Sequence, residues 1–169
     1  MASILNVDKI RRTSGTTDAL TIDSSDNVYI PGHVVQVVQS TFATETSTTS
    51  SSYSDTGLSA SITPRSTSSK ILVVVSLGSS GVSNSSGADA RGRYAIIRGS
   101  TNIHTVDVRA YDYGNSGSIS FTPGCITFLD SPSTTSATTY KLQQKAVAAT
   151  IRVCNDGYTI AMQLLEIAQ

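Results

Sequence analysis

From Val34 onward the apolar residues tend to recur at every second position rather than every third or fourth. Leu58, Ala60 and Ile62 alternate with Ser59, Ser61 and Thr63 and stop at Pro64. This is the period of a half-buried strand, whose successive side chains point to opposite faces. Val147, Ala149, Ile151 and Val153 repeat the pattern, as do Tyr140 with Leu142, Ile119 with Phe121, and Ile126 with Phe128. Three segments are apolar on both parities: Val34 to Val38, Lys70 to Leu77 and Tyr158 to Ile167. They predict strands covered on both faces, and Val34 to Val38 is expected at the centre of a sheet.

The punctuation between these runs is that of turns. Gly99-Ser100 separates Arg91 to Arg98 from Thr101 to Val108, and glycine at the first central position suits a two-residue hairpin turn. Asn155-Asp156-Gly157 predicts a second hairpin, and Pro123-Gly124 a break. Residues 44–54, 78–87 and 111–117 are polar enough to be loops. No window carries a capped helical stripe. The expected fold is all-β, an antiparallel sandwich or jelly roll of about eight to nine strands over residues 32–169. Residues 1–31 form a short N-terminal leader in which Leu20 to Ile22 and Val28 to Ile30 flank a turn at Asp23 to Asn27. So few apolar groups cannot sustain a fold alone, so the leader is expected to dock on its own domain, its copies or another protein.

Composition narrows the function. Twelve acidic and twelve basic residues leave no net charge, which disfavours nucleic-acid binding. Twenty-eight Ser and 22 Thr give a polar coat with little charge. The longest aliphatic run, Ile71 to Val75, is too short for membrane insertion, and the N-terminus lacks a signal-peptide pattern, so synthesis in a cytoplasm is expected. Cys125 and Cys154 are expected to be buried free thiols.

No phosphate loop, metal-ligand spacing or nucleophile elbow is present, and neither a cofactor nor a metal is expected. His33 and His104 lack a readable partner constellation and are taken as structural. Asp107 and Asp112 flank Tyr111, a pattern only superficially like a glycosidase pair, so a sugar-cleaving enzyme is a minor alternative. Arg91, Arg93 and Arg98 form a basic cluster in which Arg98 has the opposite strand parity; a solvated face or a salt bridge to a neighbouring subunit is favoured over a sulfate or sugar-acid site. Tyr111 and Tyr113 bracket Asp112 in a loop with Asn115, and Asn84 sits in another polar loop. Tyrosines among Ser, Gly and Asn suit an adaptable contact surface on which sugar rings stack well, and capping the end of the sandwich is the alternative.

Several strings resemble structural proteins of tailed bacteriophages, particularly those of marine bacteria and cyanobacteria. They are Met1 to Ile10, Leu20 to Val28, Thr56 to Pro64 with Ser69 to Val73, Arg98 to Thr101, Phe128 to Pro132 and Thr138 to Leu142. The head also resembles the trimeric jelly rolls of the complement and tumour-necrosis-factor type. The resemblance implies a non-enzymatic virion protein and a homotrimer. Its leader, with Ile4, Leu5, Val7 and Ile10, would attach to other virion proteins, while the β head faces outward as a short tail fibre touching a host surface glycan. A head-attached fibre or capsid decoration protein is the alternative. A bacterial complement-like adhesin is disfavoured for want of an export signal.

Overall fold

The structure, a computed structural model, describes residues 7–11, 13–15, 18–22, 24, 28–84, 89–111, 118–122 and 124–169. The chain is all-β and its sheets are antiparallel. The leader contributes β1 (Lys9–Arg11), β2 (Asp18–Ile22) and β3 (Val28–Tyr29), a three-stranded sheet in the order β1-β2-β3. The expected hairpin is present, with Thr21 opposite Tyr29 and Ile22 opposite Val28. Most of its turn, Asp23 and Ser25 to Asn27, lies outside the described residues.

The head contains β4 (Val34–Phe42), β5 (Thr46–Thr48), β6 (Ser54–Ile62), β7 (Lys70–Ser76), β8 (Ser80–Asn84) and β9 (Ala90–Arg98). The return path contains β10 (Thr101–Ala110), β11 (Ser118–Thr122), β12 (Cys125–Asp130), β13 (Thr138–Ala148), β14 (Thr150–Val153) and β15 (Ile160–Ile167). These strands pair in a nested series. Gly99-Ser100 joins β9 to β10, and outward from that turn β8 pairs with β11, β7 with β12, β6 with β13, β5 with β14 and β4 with β15. The head is therefore one long hairpin rolled up on itself. Three further pairings, β9 with β13, β8 with β14 and β7 with β15, close the roll. That is the wrapping of a jelly roll. The apex depends on Gly99, whose φ of +59° is the left-handed value a glycine adopts without strain.

Two layers result. One is the sheet β10-β9-β13-β6. The other is a ribbon broken into β12-β7-β15-β4 and β11-β8-β14-β5, whose strand orders correspond position by position. The halves are stitched where they break: Leu77 N–H donates to the Gly124 carbonyl and Asn155 N–H to the Ser79 carbonyl, each at 2.8 Å. The inner faces share one core, including Leu58, Ile62, Ile96 and Leu142 from the first layer and Val73, Met162, Leu164, Val82 and Ile151 from the second. Full burial of such a side chain contributes about 1.5–3 kcal/mol.

The strand count exceeds the sequence expectation for a definite reason. Thr46–Thr48 and Ser80–Asn84 lie in the hydroxyl-rich segments expected to be loops, yet both pair. Threonine suits a strand, and Gly81 lets β11 approach closely, since a Cβ there would stand 1.7 Å from the Ser120 carbonyl oxygen. Asn155-Asp156-Gly157 does not form a hairpin. It is a 3-10 turn with Cys154 and Asp156 at positive φ, carrying the chain from β14 to β15 in the other half of the ribbon. Strand β4 is also an edge strand, not the central strand expected, whereas β15 is central. Both cysteines are free, but only Cys154 is buried; Cys125 is exposed on the edge strand β12, so the expected burial of both is corrected.

Candidate functional site

The residues of β4, β7, β12 and β15 that point away from the core fall into cross-strand rows. One row is Val37, Leu165, Leu72 and Leu129, directly opposite one another across all four strands. The next contains Gln39, Gln163, Val74 and Thr127, and the one beyond Thr41, Ala161, Ser76 and Cys125. On the other side of the leucine row, Ile167 lies opposite Val34 and Lys70. Val37 is 60% and Leu129 52% exposed at the two edges, and Leu72 and Leu165 are half-buried between them. Lys70 is the one charged side chain in these rows, and its ammonium is held by the Ser131 hydroxyl at 2.7 Å. An aliphatic row spanning a whole sheet differs from a scattered exposed leucine, and contiguous apolar surface of this kind marks a contact site. The apolar parity of β4, β7 and β15 was visible in the sequence. Leu129 and the alignment of the row were not, because they depend on register.

The first layer turns a different face to solvent. Asp55 accepts from Gln143 and from Lys141, and both bonds hold its carboxyl below the usual range. Asp107 lies between Arg93 and Arg109 at 2.7 and 3.1 Å, and both guanidinium groups lower its pKa. Asp107 is thus an ion-pair partner on an open face.

One end of the sandwich is closed by a network drawn from β9, β12 and β13. Arg98, on the opposite parity to Arg91 and Arg93, points inward, and its Nη1 donates to both carboxylate oxygens of Asp130 of the same chain at 2.8 and 2.9 Å. Tyr140 donates its hydroxyl to the same carboxylate at 2.7 Å, and burial pushes that phenol's pKa well above its ordinary value. An open cavity of about 340 Å³ adjoins Arg98, Pro132, Thr134 and Thr138. Its hydroxyls are engaged: Thr138 donates to the Ser136 carbonyl and Thr134 accepts from the Ser136 N–H. This is the architecture of a structural clamp between the layers.

Of the loop candidates, Asn84 and Tyr111 lie at the same end of the strands, since Asp89, which Asn84 meets, precedes Ala90 and Ala90 stands opposite Ala110. Asn84 ends β8 and its amide donates to the Asp89 carbonyl at 3.4 Å. Tyr111 follows β10 and is 58% exposed. Asp112, Tyr113 and Asn115 lie outside the described residues, as do Ile4 and Leu5 of the leader. Val7 is half-buried and Ile10 49% exposed. His104 stacks on Phe128 with ring centres 5.0 Å apart. Among the described residues no cluster of His, Cys, Asp or Glu is placed to hold a metal ion, and no helix is long and apolar enough to cross a membrane. In comparison with protein-family models and with curated proteins, the chain has no match.

Proposed function

We propose that the chain is a non-enzymatic structural protein of a virion, assembled as a homotrimer. In this reading the leader, residues 1–31, holds it to other virion proteins and the β head faces the host surface as a short tail fibre. The protein is made in the host cytoplasm and resides in the particle. The observation that carries the reading is the aliphatic row Val37, Leu165, Leu72 and Leu129 on an almost uncharged sheet face. Burying that face against two other copies would remove it from water and bring three leaders to one side of an axis. The leader joins the head beside this face, because Gly32 N–H donates to the Ala168 carbonyl and Ala168 N–H to the His33 carbonyl. Repetition around the axis would then multiply weak host contacts into avidity.

Light scattering tests the assembly. The purified chain is expected at three times its monomer mass of 17.7 kDa. Leu165→Glu places three carboxylates in the buried row and is expected to give a monomer with unchanged β-sheet circular dichroism. A wild-type monomer refutes the trimer. For the particle role, deletion of residues 1–31 is expected to leave a folded head that no longer joins the virion; particles that still carry it would refute attachment through the leader. The position of the labelled protein in virion images separates a tail fibre from the alternative of a head-attached decoration.

A further inference from the structure

The charge on the outer face of the β10-β9-β13-β6 sheet is unevenly distributed. In one half, Lys141 lies 3.1 Å from Asp55 and the charges cancel. In the other half, Lys145 lies opposite Arg93, Arg93 opposite Asp107, and Arg91 opposite Arg109. Four cations therefore occupy three adjacent strands spaced about 4.8 Å apart. Asp107 is the acid among them and is shared by Arg93 and Arg109; Asp89 stands at the rim, two residues before Arg91. Like charges directly opposite on neighbouring strands destabilise a sheet. Two such pairs, Arg93 with Lys145 and Arg91 with Arg109, occur here in a chain with no net charge.

Tyrosine rings lie beside the cations. Tyr53, just before β6, reaches across the sheet until its hydroxyl meets Thr105 Oγ1 on β10 at 3.4 Å. Lys145 Nζ stands 4.7 Å from the centre of its ring. Tyr111, 58% exposed, follows Arg109 by two residues at the end of β10. Guanidinium groups match carboxylate and sulfate oxygens in pairs, and an aromatic ring offers an apolar surface with a polar tip.

We propose that Arg91, Arg93, Arg109 and Lys145, with Tyr53 and Tyr111, bind an acidic polysaccharide, in which carboxylate or sulfate groups are carried on sugar rings. The inference rests on the reading of the head as host-facing and names the chemistry it meets there. A nucleic acid is the weaker fit, because its continuous phosphate backbone calls for an extended basic track and this patch ends at the Lys141–Asp55 pair.

The test measures retention of the full chain on alginate, dextran sulfate, neutral dextran and duplex DNA at several salt concentrations. Wild type is expected on alginate or dextran sulfate but not on neutral dextran, with retention falling as salt screens the charges. Alginate alone identifies a uronate ligand and dextran sulfate alone a sulfated one; both outcomes support the site. Arg91→Gln with Lys145→Gln, which spares the Asp107 clamp, is expected to weaken retention about tenfold. Arg65→Gln carries a single charge loss elsewhere and is expected to leave it unchanged, and both variants should keep the wild-type mass and circular dichroism. No retention on either polyanion at low salt, equal weakening by Arg65→Gln, or equal retention on duplex DNA overturns the proposal. A chain absent from virions that still binds alginate through these residues would overturn the virion reading and leave the site standing. A virion protein that binds neither polyanion would do the reverse.

Discussion

Replacing Asp130 by alanine removes the acceptor at the centre of the clamp between the two layers. Asp130 is 6% exposed and receives Arg98 Nη1 and the Tyr140 hydroxyl. Two costs follow. Tyr140 is fully buried, and a buried hydroxyl left without its acceptor costs about 1–3 kcal/mol. The Arg98 side chain is 30% exposed, so its guanidinium can regain water at the rim, and loss of the pair costs about 1–2 kcal/mol rather than the larger penalty of an isolated buried ion. The expected total is about 3–4 kcal/mol, or roughly 10 °C in Tm for a domain of this size. Urea unfolding followed by circular dichroism at fixed protein concentration measures it, with the m-value as a check on the denatured state. Two further variants test the reasoning. Arg98→Ala leaves a buried carboxylate without its cation and is expected to cost more than Asp130→Ala. Tyr140→Phe removes only a donor and is expected to cost about 1 kcal/mol. The clamp is refuted if Asp130→Ala falls within about 1 kcal/mol of wild type, or if Arg98→Ala proves the milder change.

The phenols make stability fall in alkali. Tyr94 and Tyr140 are buried neutral with pKa values raised by desolvation, so above the ordinary tyrosine pKa of 10.0 the unfolded chain releases protons that the native one retains. Their contribution is complete below pH 10.0 and declines above it by up to about 1.4 kcal/mol per pH unit for each ring; flat urea midpoints up to pH 11 would contradict this. Gly81→Ala forces a Cβ against the Ser120 carbonyl and is expected to destabilise by about 1–3 kcal/mol, with faster amide exchange in β11 than in β15. Wild-type exchange throughout β11 would show that the close approach is not required.

The alternation of β6, β13 and β14 was legible because each has one face on the core and one on water or hydroxyls. The parity argument also separated Arg98 from Arg91 and Arg93, and in the sheet they do lie on opposite faces, Arg98 turned to Asp130 and Arg93 to Asp107. The short strands β5 and β8 were not legible. Thr46–Thr48 and Ser80–Asn84 hold few aliphatics, and their pairing is set by neighbours distant in sequence, such as Ile151 opposite Thr48 and Phe121 opposite Gly81. The failed hairpin at Asn155-Asp156-Gly157 has a similar origin. Turn chemistry specifies a local reversal, whereas tertiary pairing decided that the flanking strands enter different halves of the ribbon. The basic patch combined two kinds of information. Arg91 and Arg93 were visible in a cluster with Arg98, which instead turns to Asp130, whereas Lys145, Arg109 and Tyr53 join them only once three strands are in register.

The edge position of β4 bears on what the second cover of this sheet is. Strands β4, β7 and β15 are apolar on both parities, a pattern that sequence reasoning assigns to strands buried on both faces. The fold supplies one cover, the core shared with β6, β9 and β13. Among the described residues it supplies none for Val37 and Leu129, and only partial shelter for Leu72 and Leu165. In β6 the corresponding outward positions are Asp55, Gly57, Ser59 and Ser61, so the same chain keeps an outer face polar where water is its neighbour. The contrast lies between two sheets of one sandwich and therefore does not come from overall composition. It places the demand for a second apolar cover on the β12-β7-β15-β4 face. In the proposed trimer, identical copies would meet that demand without any other partner, because each would bring the same aliphatic row to a common axis.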